Sequence, residues 1–208
     1  MITIRRTTRV LLTVLWTGIV TSICATILPG AVTAPPIRYQ LDASASTVGF
    51  VFTLGGARQN GTMQIAAADI FVDPANLATS RVDISLDVDS VRTPLPFARQ
   101  ALIGPDVLDA RRYPRIRFTS TRVQLAPDGH LSGGANILGS LTVHGVTRPV
   151  TFEASLFRAK GSAPGDLSVL TVSLAGHVSR KAFGASGYGD LVADQVELNI
   201  IAVIRIAR

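Results

Sequence analysis

Apolar and polar residues alternate with a period of two along most of the chain that follows Tyr39. The clearest run extends from Arg81 to Val91, where Val82, Ile84, Leu86 and Val88 are separated by Asp83, Ser85 and Asp87. A β-strand with one buried and one exposed face has this period, whereas an amphipathic helix repeats every 3.6 residues. The pattern therefore predicts an all-β domain, which extends over residues 38–206.

About eight strands are predicted in this domain. Four runs alternate clearly, over 47–54, 81–91, 149–157 and 196–206, and four weaker runs cover 61–71, 115–125, 130–144 and 167–178. Between Arg115 and Leu125 the phase slips, because Ile116 and Phe118 disagree with Val123 and Leu125. A β-bulge shifts the phase of a strand in this way, so we expect one here.

One stretch, Pro94 to Tyr113, departs from the period of two. Phe97, Ala101 and Leu102 have near-helical spacing, which predicts a short helix that ends at Gly104-Pro105 and a further helical turn around 107–110. Long antiparallel strands with one short helical excursion favour an eight-stranded meander closed into a barrel, because closure leaves no strand edge exposed. A two-sheet sandwich is the structural alternative.

The strand lengths limit what such a barrel can hold. Tilted strands of about ten residues give a barrel roughly 25 Å tall, and eight strands enclose side chains or one slim ligand. The faces predicted to point inward carry Val, Ile, Leu and Phe without a matching set of charges. The sequence therefore predicts an interior that is either packed or open to an apolar, elongated molecule.

Residues 1–34 form a leader with a different composition. Three arginines, Arg5, Arg6 and Arg9, precede the 19 uncharged residues from Val10 to Leu28. A basic segment before an apolar one is typical of a secretory signal, and an apolar helix of this length also nearly spans a bilayer. We interpret the leader as a signal peptide or a membrane anchor, and either form places the domain in the periplasm or otherwise outside the cytoplasm.

Composition argues against several other functions. The segment after Ala34 has 17 basic and 14 acidic residues, a surplus too small and too dispersed for a nucleic-acid site. Cys24 is the single cysteine and lies in the leader, and the three histidines lack metal-ligand spacing. Neither a metal site nor a catalytic nucleophile is predicted, and the outward carboxylates of the strands are expected to be solvated.

Several short motifs resemble those of the YceI-like family of polyisoprenoid-binding, lipocalin-like barrels. The most specific covers Gly139 to Val150, and the others, in the same order as in the family, are Tyr39 to Asp42, Ser46 to Phe50, Asp106 to Asp109, Tyr113-Pro114, Phe118 to Ser120, Ser179 to Gly184 and Asp194 to Leu198. The chain departs from the family between Gly55 and Thr62 and at Met63, where an aromatic residue is usual. The resemblance implies a protein that holds the prenyl chain of a quinone or polyprenyl lipid.

We therefore predict an exported carrier that sequesters an isoprenoid lipid, needs no other cofactor and works near a membrane. The alternatives are a structural or partner-binding envelope protein with a packed barrel, and an enzyme that acts on a lipid-like substrate. A homodimer is a further candidate partner. His144 and Arg180 are candidate head-group contacts, although His144 also suits a turn and Arg180 a solvated strand end. The candidate contacts to the lipid tail are Phe50, Phe52, Met63, Ile84, Leu86, Phe118, Leu141, Val143, Phe152, Val172, Leu174 and Phe183.

The leader generates a prediction of its own. Residues 1–38 fused to a periplasmic reporter should export it, because the basic and apolar segments together form the signal. The variant with Arg5 and Arg6 both changed to Lys should still be exported, as measured by reporter activity in the periplasm. A complete block by the two lysines would instead indicate a twin-arginine route.

Overall fold

The computed structural model describes residues 36–74, 76–126, 134–163 and 165–207, which form one antiparallel sheet and a single α-helix. The prediction for residues 1–34 lies outside the described residues, as does the beginning of the strand predicted at 130–144. The nine strands are β1 Ile37–Leu41, β2 Thr47–Leu54, β3 Ala57–Val72, β4 Arg81–Arg92, β5 Arg115–Leu125, β6 Ala135–Val143, β7 Val146–Arg158, β8 Val169–Ser179 and β9 Gln195–Ile206.

These nine strands occupy the eight positions of a closed barrel. Seven of the strands, β3 to β9, each occupy one position, and β3 pairs with β4 to close the ring. The eighth position lies between β3 and β9. It is occupied by β1 over one part of its length and by β2 over the rest. Tyr39 of β1 pairs with Ile70 and Ile206, whereas Phe50 of β2 pairs with Gly61 and Leu198. The predicted eight-stranded antiparallel barrel is confirmed.

The chain steps from β1 to β2 through a turn that Asp42 fixes. One carboxylate oxygen of Asp42 accepts hydrogen bonds from the Ser44 and Ala45 backbone N–H groups and from the Ser44 hydroxyl, and the other accepts from Arg205. The Ser46 hydroxyl donates to the Asp42 carbonyl and accepts from the Val203 N–H. These bonds satisfy the polar groups of the step, so the ladder to β9 resumes at β2.

The alternating apolar and polar residues of the sequence lie on the inner and outer faces of the barrel, respectively. Asp83 lies on the outer face, where its carboxylate receives two hydrogen bonds from Arg117, at 3.0 and 2.6 Å. These bonds, chiefly, hold the pKa of Asp83 below its usual value. The register between β5 and β6 shifts between Ser120 and Arg122, which confirms the bulge predicted from the change of phase.

The helical excursion is shorter than the sequence suggested. Helix α1 extends over Pro96–Ile103 and ends at Gly104. The helical turn predicted at 107–110 is wrong. The backbone there forms turns in which the N–H groups of Leu108 and Ala110 bond to the carbonyls of Leu102 and Ile103. These bonds use carbonyls that the end of α1 leaves free, so the chain folds back beneath the helix instead of starting another.

Antiparallel order places four connections at one end of the barrel: Gly55–Gly56, residues 93–114 with α1, His144–Gly145 and residues 180–194. We call this the helix end. Apolar side chains of α1 and of the turn after it pack there against strand residues such as Val88, Val91 and Phe52. The other end has its own cluster around Tyr39, whose hydroxyl donates to the Leu167 carbonyl at 2.8 Å.

The hydrogen bonds of Asp42 in the turn between β1 and β2 make the free energy of unfolding depend on pH. Hydrogen bonds from Ser44 and then from Arg205 lower the pKa of Asp42. A carboxyl with a lowered folded-state pKa stabilises the fold above its unfolded pKa of about 3.9, and this contribution is lost as the pH falls through the folded value. We expect Asp42→Asn to lower the thermal midpoint at neutral pH, with a difference that shrinks below about pH 4. A difference that stays constant down to about pH 3 would contradict this role.

Candidate functional site

The barrel encloses a cavity of about 460 Å³. Its lining draws inward-facing side chains from every strand and reaches from Leu41 and Leu77 at one end to α1 and residues 185–192 at the helix end. Among the described residues that line it, polar side chains come from Ser80, Arg180 and Tyr188. A volume of several hundred Å³ with an apolar wall and few polar groups is typical of a small-molecule site.

All twelve residues predicted to contact a lipid tail line this cavity. They come from seven strands and from the 3₁₀ turn at residues 181–183, so the barrel brings together positions up to 133 residues apart. Alternation is sufficient to find the eleven that lie on strands, because each points to the same side of a closed sheet, whereas Phe183 lies in the Ser179 to Gly184 motif. Of the two candidate head-group contacts, Arg180 lines the cavity and His144 does not.

Three inward phenylalanines lie over glycines of a neighbouring strand. The ring of Phe50 covers Gly61, that of Phe118 covers Gly139, and that of Phe152 covers Gly176. A β-carbon added at Gly176 would lie 2.7 Å from the Phe152 ring, and one at Gly139 would lie 2.5 Å from the Phe118 ring. Because these glycines have no side chain, the three rings can lie against the wall of the barrel. The centre of the lumen is thereby left open.

Two of these rings also contact each other. Phe118 and Phe152 meet edge to face with their ring centroids 5.2 Å apart. Aromatic pairs prefer this arrangement, which places the positive edge of one ring on the negative face of the other. The pair therefore fixes the wall across β5, β6 and β7.

Arg180 is buried at the helix end, with 7% of its surface exposed. Its guanidinium donates four hydrogen bonds to backbone carbonyls, those of Ala185 at 2.6 Å, Gly187 at 2.7 Å, Val192 at 2.9 Å and Ala193 at 3.1 Å. Four of its five N–H groups are thereby used. Arg180 thus holds both ends of segment 185–193 together. It is a buried cation and not the solvated charge that a strand end suggested.

Burial lowers the pKa of Arg180, and the nearby carboxylate of Asp194 opposes this effect. Asp194 accepts hydrogen bonds from the Lys181 backbone N–H at 2.9 Å and from the Ser179 hydroxyl at 2.8 Å. These bonds lower the pKa of Asp194 and fix the start of segment 180–194. The segment is therefore organised by one buried cation and one hydrogen-bonded carboxylate.

His144 occupies the two-residue turn between β6 and β7. Both His144 and Gly145 have positive φ, 50° and 75°, as a type I′ hairpin turn requires. The imidazole meets the Tyr113 ring edge to face at 4.9 Å. These contacts match the turn role that the sequence suggested for His144, outside the cavity.

Sequence reasoning missed Tyr188 and Leu191, which line the cavity at the helix end. They lie in an irregular segment between β8 and β9, where no periodicity shows which side chains point inward. The Gly-rich composition around them, Gly184 to Gly189, was the available signal that this chain segment turns sharply.

In the part of the chain that the structure describes, no cluster of three His, Cys, Asp or Glu side chains is placed to hold a metal ion. The described residues also include no helix that is long and apolar enough to cross a bilayer.

The fold and the cavity define a closed antiparallel β-barrel with an apolar ligand-sized interior. A sequence model of the YceI-like domain matches residues 39–204, and the chain belongs to that family. A UPF0312 protein of Vibrio vulnificus is 29% identical over 143 residues, which are 66% of this chain and 73% of the relative. A UPF0312 protein of Pseudomonas putida is 32% identical over 53% of this chain and 55% of its own length.

Solved structures share the fold at lower sequence identity. BcnA of Burkholderia cenocepacia superposes with a TM-score of 0.69 at 23% identity, over 79% of this chain and 99% of BcnA. A polyisoprenoid-binding domain from Saccharophagus degradans superposes with a TM-score of 0.60 at 14% identity, over 82% of this chain and 99% of that domain.

Arg180 gives a test of how the helix end is built. Arg180→Met leaves four carbonyls without their donor and should lower the free energy of unfolding by about 2–4 kcal/mol, measured by urea denaturation. Arg180→Lys should recover only part of the loss, because an ammonium group cannot reach four carbonyls arranged around a planar fork. A change below about 0.5 kcal/mol in Arg180→Met would show that these bonds do not stabilise the fold.

Proposed function

We propose that this protein is an exported carrier that binds an isoprenoid lipid by enclosing its prenyl tail in the barrel. The observation that carries the proposal is the apolar cavity of about 460 Å³ inside a closed sheet. A prenyl chain is apolar, slim and branched, and its shape suits a lumen lined by Phe, Leu, Ile and Val. The polyisoprenoid-binding domain with the same fold supports this choice of ligand.

The hydrophobic effect supplies enough free energy for this binding. Removing roughly 300 Å² of tail surface from water is worth about 7.5 kcal/mol at 25 cal/mol per Å². A longer tail adds more until the lumen is full, and the ordering of the tail opposes part of the gain. The binding needs no covalent step and no metal.

Two of the three described polar residues of the cavity lie at the helix end and suit a head group there. Arg180 and Tyr188 lie on that side, whereas the body of the lumen is apolar. In the proposed complex the tail extends away from these groups toward Leu41 and Leu77, and the head group stays near segment 185–193. The carrier works outside the cytoplasm and near a membrane, as the leader indicates.

The other two functions have less support. A packed structural barrel would fill its interior with side chains, whereas the rings of Phe50, Phe118 and Phe152 lie against the wall. An enzyme would need reactive polar groups toward the lumen, and the Ser80 hydroxyl already accepts a hydrogen bond from the Asp73 backbone N–H at 3.1 Å. The structural neighbour from Saccharophagus degradans is a polyisoprenoid-binding domain, which favours a carrier.

The proposal predicts that purified protein carries extractable lipid and that filling the lumen expels it. Leu86→Trp enlarges a residue of the cavity wall and should lower the lipid per protein, measured by mass spectrometry of organic extracts, at a stability cost of about 1–3 kcal/mol. Glu153→Trp adds the same ring on the exposed outer face and should keep its lipid. Each variant is also melted to record its thermal midpoint.

The two measurements separate the carrier from the packed barrel. Loss of lipid in Leu86→Trp with a near-normal midpoint supports the carrier. Absence of any lipid in the unmodified protein, together with a collapsed midpoint in Leu86→Trp, would overturn it.

A further inference from the structure

Three large apolar side chains are exposed together at the helix end. Phe97 on α1 is 65% exposed, and Leu191 and Tyr188 in segment 185–193 are 59% and 50% exposed. Each of the three also lines the cavity, so each has one side toward the lumen and another toward solvent. We call these residues the mouth rim. All three lie where the cavity reaches the surface of the protein.

Hydrogen bonds fix the backbone of the mouth rim at Tyr188 and Leu191. The Tyr188 backbone has a φ of 59°, and its carbonyl accepts from the N–H groups of Leu191 at 3.0 Å and Val192 at 2.9 Å. The Leu191 carbonyl accepts from the Gly55 N–H at 2.8 Å, and Arg180 fixes the carbonyls on either side. A strained residue kept in place by its surroundings often marks a functional site.

The position of Phe97 is also fixed, by the packing of helix α1. Phe97 lies one residue before Ala98, which is buried in the cluster with Phe52 and Val91, so the helix cannot turn Phe97 inward without losing that packing. The Gly187 N–H donates to the Asp106 carbonyl at 2.8 Å, which ties segment 185–193 to the chain after α1. Both sides of the rim therefore belong to one fixed surface.

The charges around the rim favour an anionic surface. Arg92, Arg111, Arg112 and Lys181 are exposed at this end, against the three exposed carboxylates of Asp89, Asp106 and Asp190. Basic side chains around exposed aromatic and aliphatic residues are typical of segments that sit at the interface of a membrane containing acidic lipids. Tyrosine is itself enriched at the level of lipid head groups.

We propose that the mouth rim docks on a lipid bilayer with anionic head groups, and that the prenyl lipid passes between bilayer and lumen through it. This inference rests on the proposed function. Passage of a prenyl tail through water would expose its whole apolar surface, whereas a rim seated among the head groups gives the tail a dry path. In the described part of the chain, the other large exposed apolar residues are Phe157, Ile201 and Ile206, which lie on strands and away from this end of the cavity.

The first test measures transfer in the full-length chain. Vesicles of phosphatidylcholine and phosphatidylglycerol carry fluorescently labelled geranylgeraniol, and uptake and release are followed by stopped flow. In the double variant Phe97→Ser/Leu191→Ser, both rates should fall at least about tenfold, because docking precedes transfer in both directions. The matched control, Phe157→Ser/Ile201→Ser, removes residues that are 56% and 49% exposed and should transfer at the original rate.

The second test identifies which surface of the domain contacts the bilayer. The leader is the same in every variant, so a difference between two dye positions comes from the domain. In a Cys24→Ser background, an environment-sensitive dye on Leu191→Cys should shift to shorter wavelength with phosphatidylglycerol vesicles. The same dye on Ser155→Cys, on the outer face of β7, should not shift.

The outcomes separate this inference from the proposed function. If the unmodified protein loads no labelled lipid even from detergent, the proposed function falls. If it loads lipid, but the rim variant transfers as fast as its control or the dye on Leu191→Cys stays in water, docking through the rim is overturned.

Discussion

The pairing of β3 with β4 is the interaction on which the rest of the structure depends, because it turns a nine-stranded sheet into a ring. Closure gives each of the eight positions two neighbours and leaves no hydrogen-bonding edge to protect. It also fixes the circumference, so the width of the lumen is set by the backbone and not by the side chains inside it. The side chains then decide how much of that width stays empty.

The helix end is the part of the molecule where this regular arrangement is interrupted. Segment 185–193 has no sheet partner for most of its length, and its carbonyls are satisfied by Arg180 instead. The guanidinium of Arg180 thereby donates the hydrogen bonds that a neighbouring strand donates elsewhere in the sheet. Its planar geometry lets the segment bend around the cavity. The same residue sets where Tyr188 and Leu191 stand. Arg180 therefore contributes, with the backbone bonds of Gly55 and Gly187, to the position of the residues at the end of the cavity.

Much of the barrel and its lining is predictable from the sequence, because strand alternation is a local pattern. Alternation alone assigns Leu86, Phe118 and Phe152 to the lining, and the change of phase near Val123 locates a bulge. The division of the eighth barrel position between β1 and β2 was not predicted, since it depends on the side-chain bonds of Asp42. The role of Arg180 was also missed. Its four acceptors are backbone carbonyls, which every residue carries and no sequence pattern marks.

The glycines beneath Phe50, Phe118 and Phe152 have a consequence for how such a barrel changes over evolution. A methyl group at Gly61 or Gly176 would push a ring toward the centre of the lumen without altering a backbone hydrogen bond. Free volume could therefore be gained or lost in single-nucleotide steps, while the sheet stays the same. Family members with one scaffold could in this way diverge in the girth of the molecules they accept. In this chain the volume of the cavity therefore depends on glycines, which have no side chain.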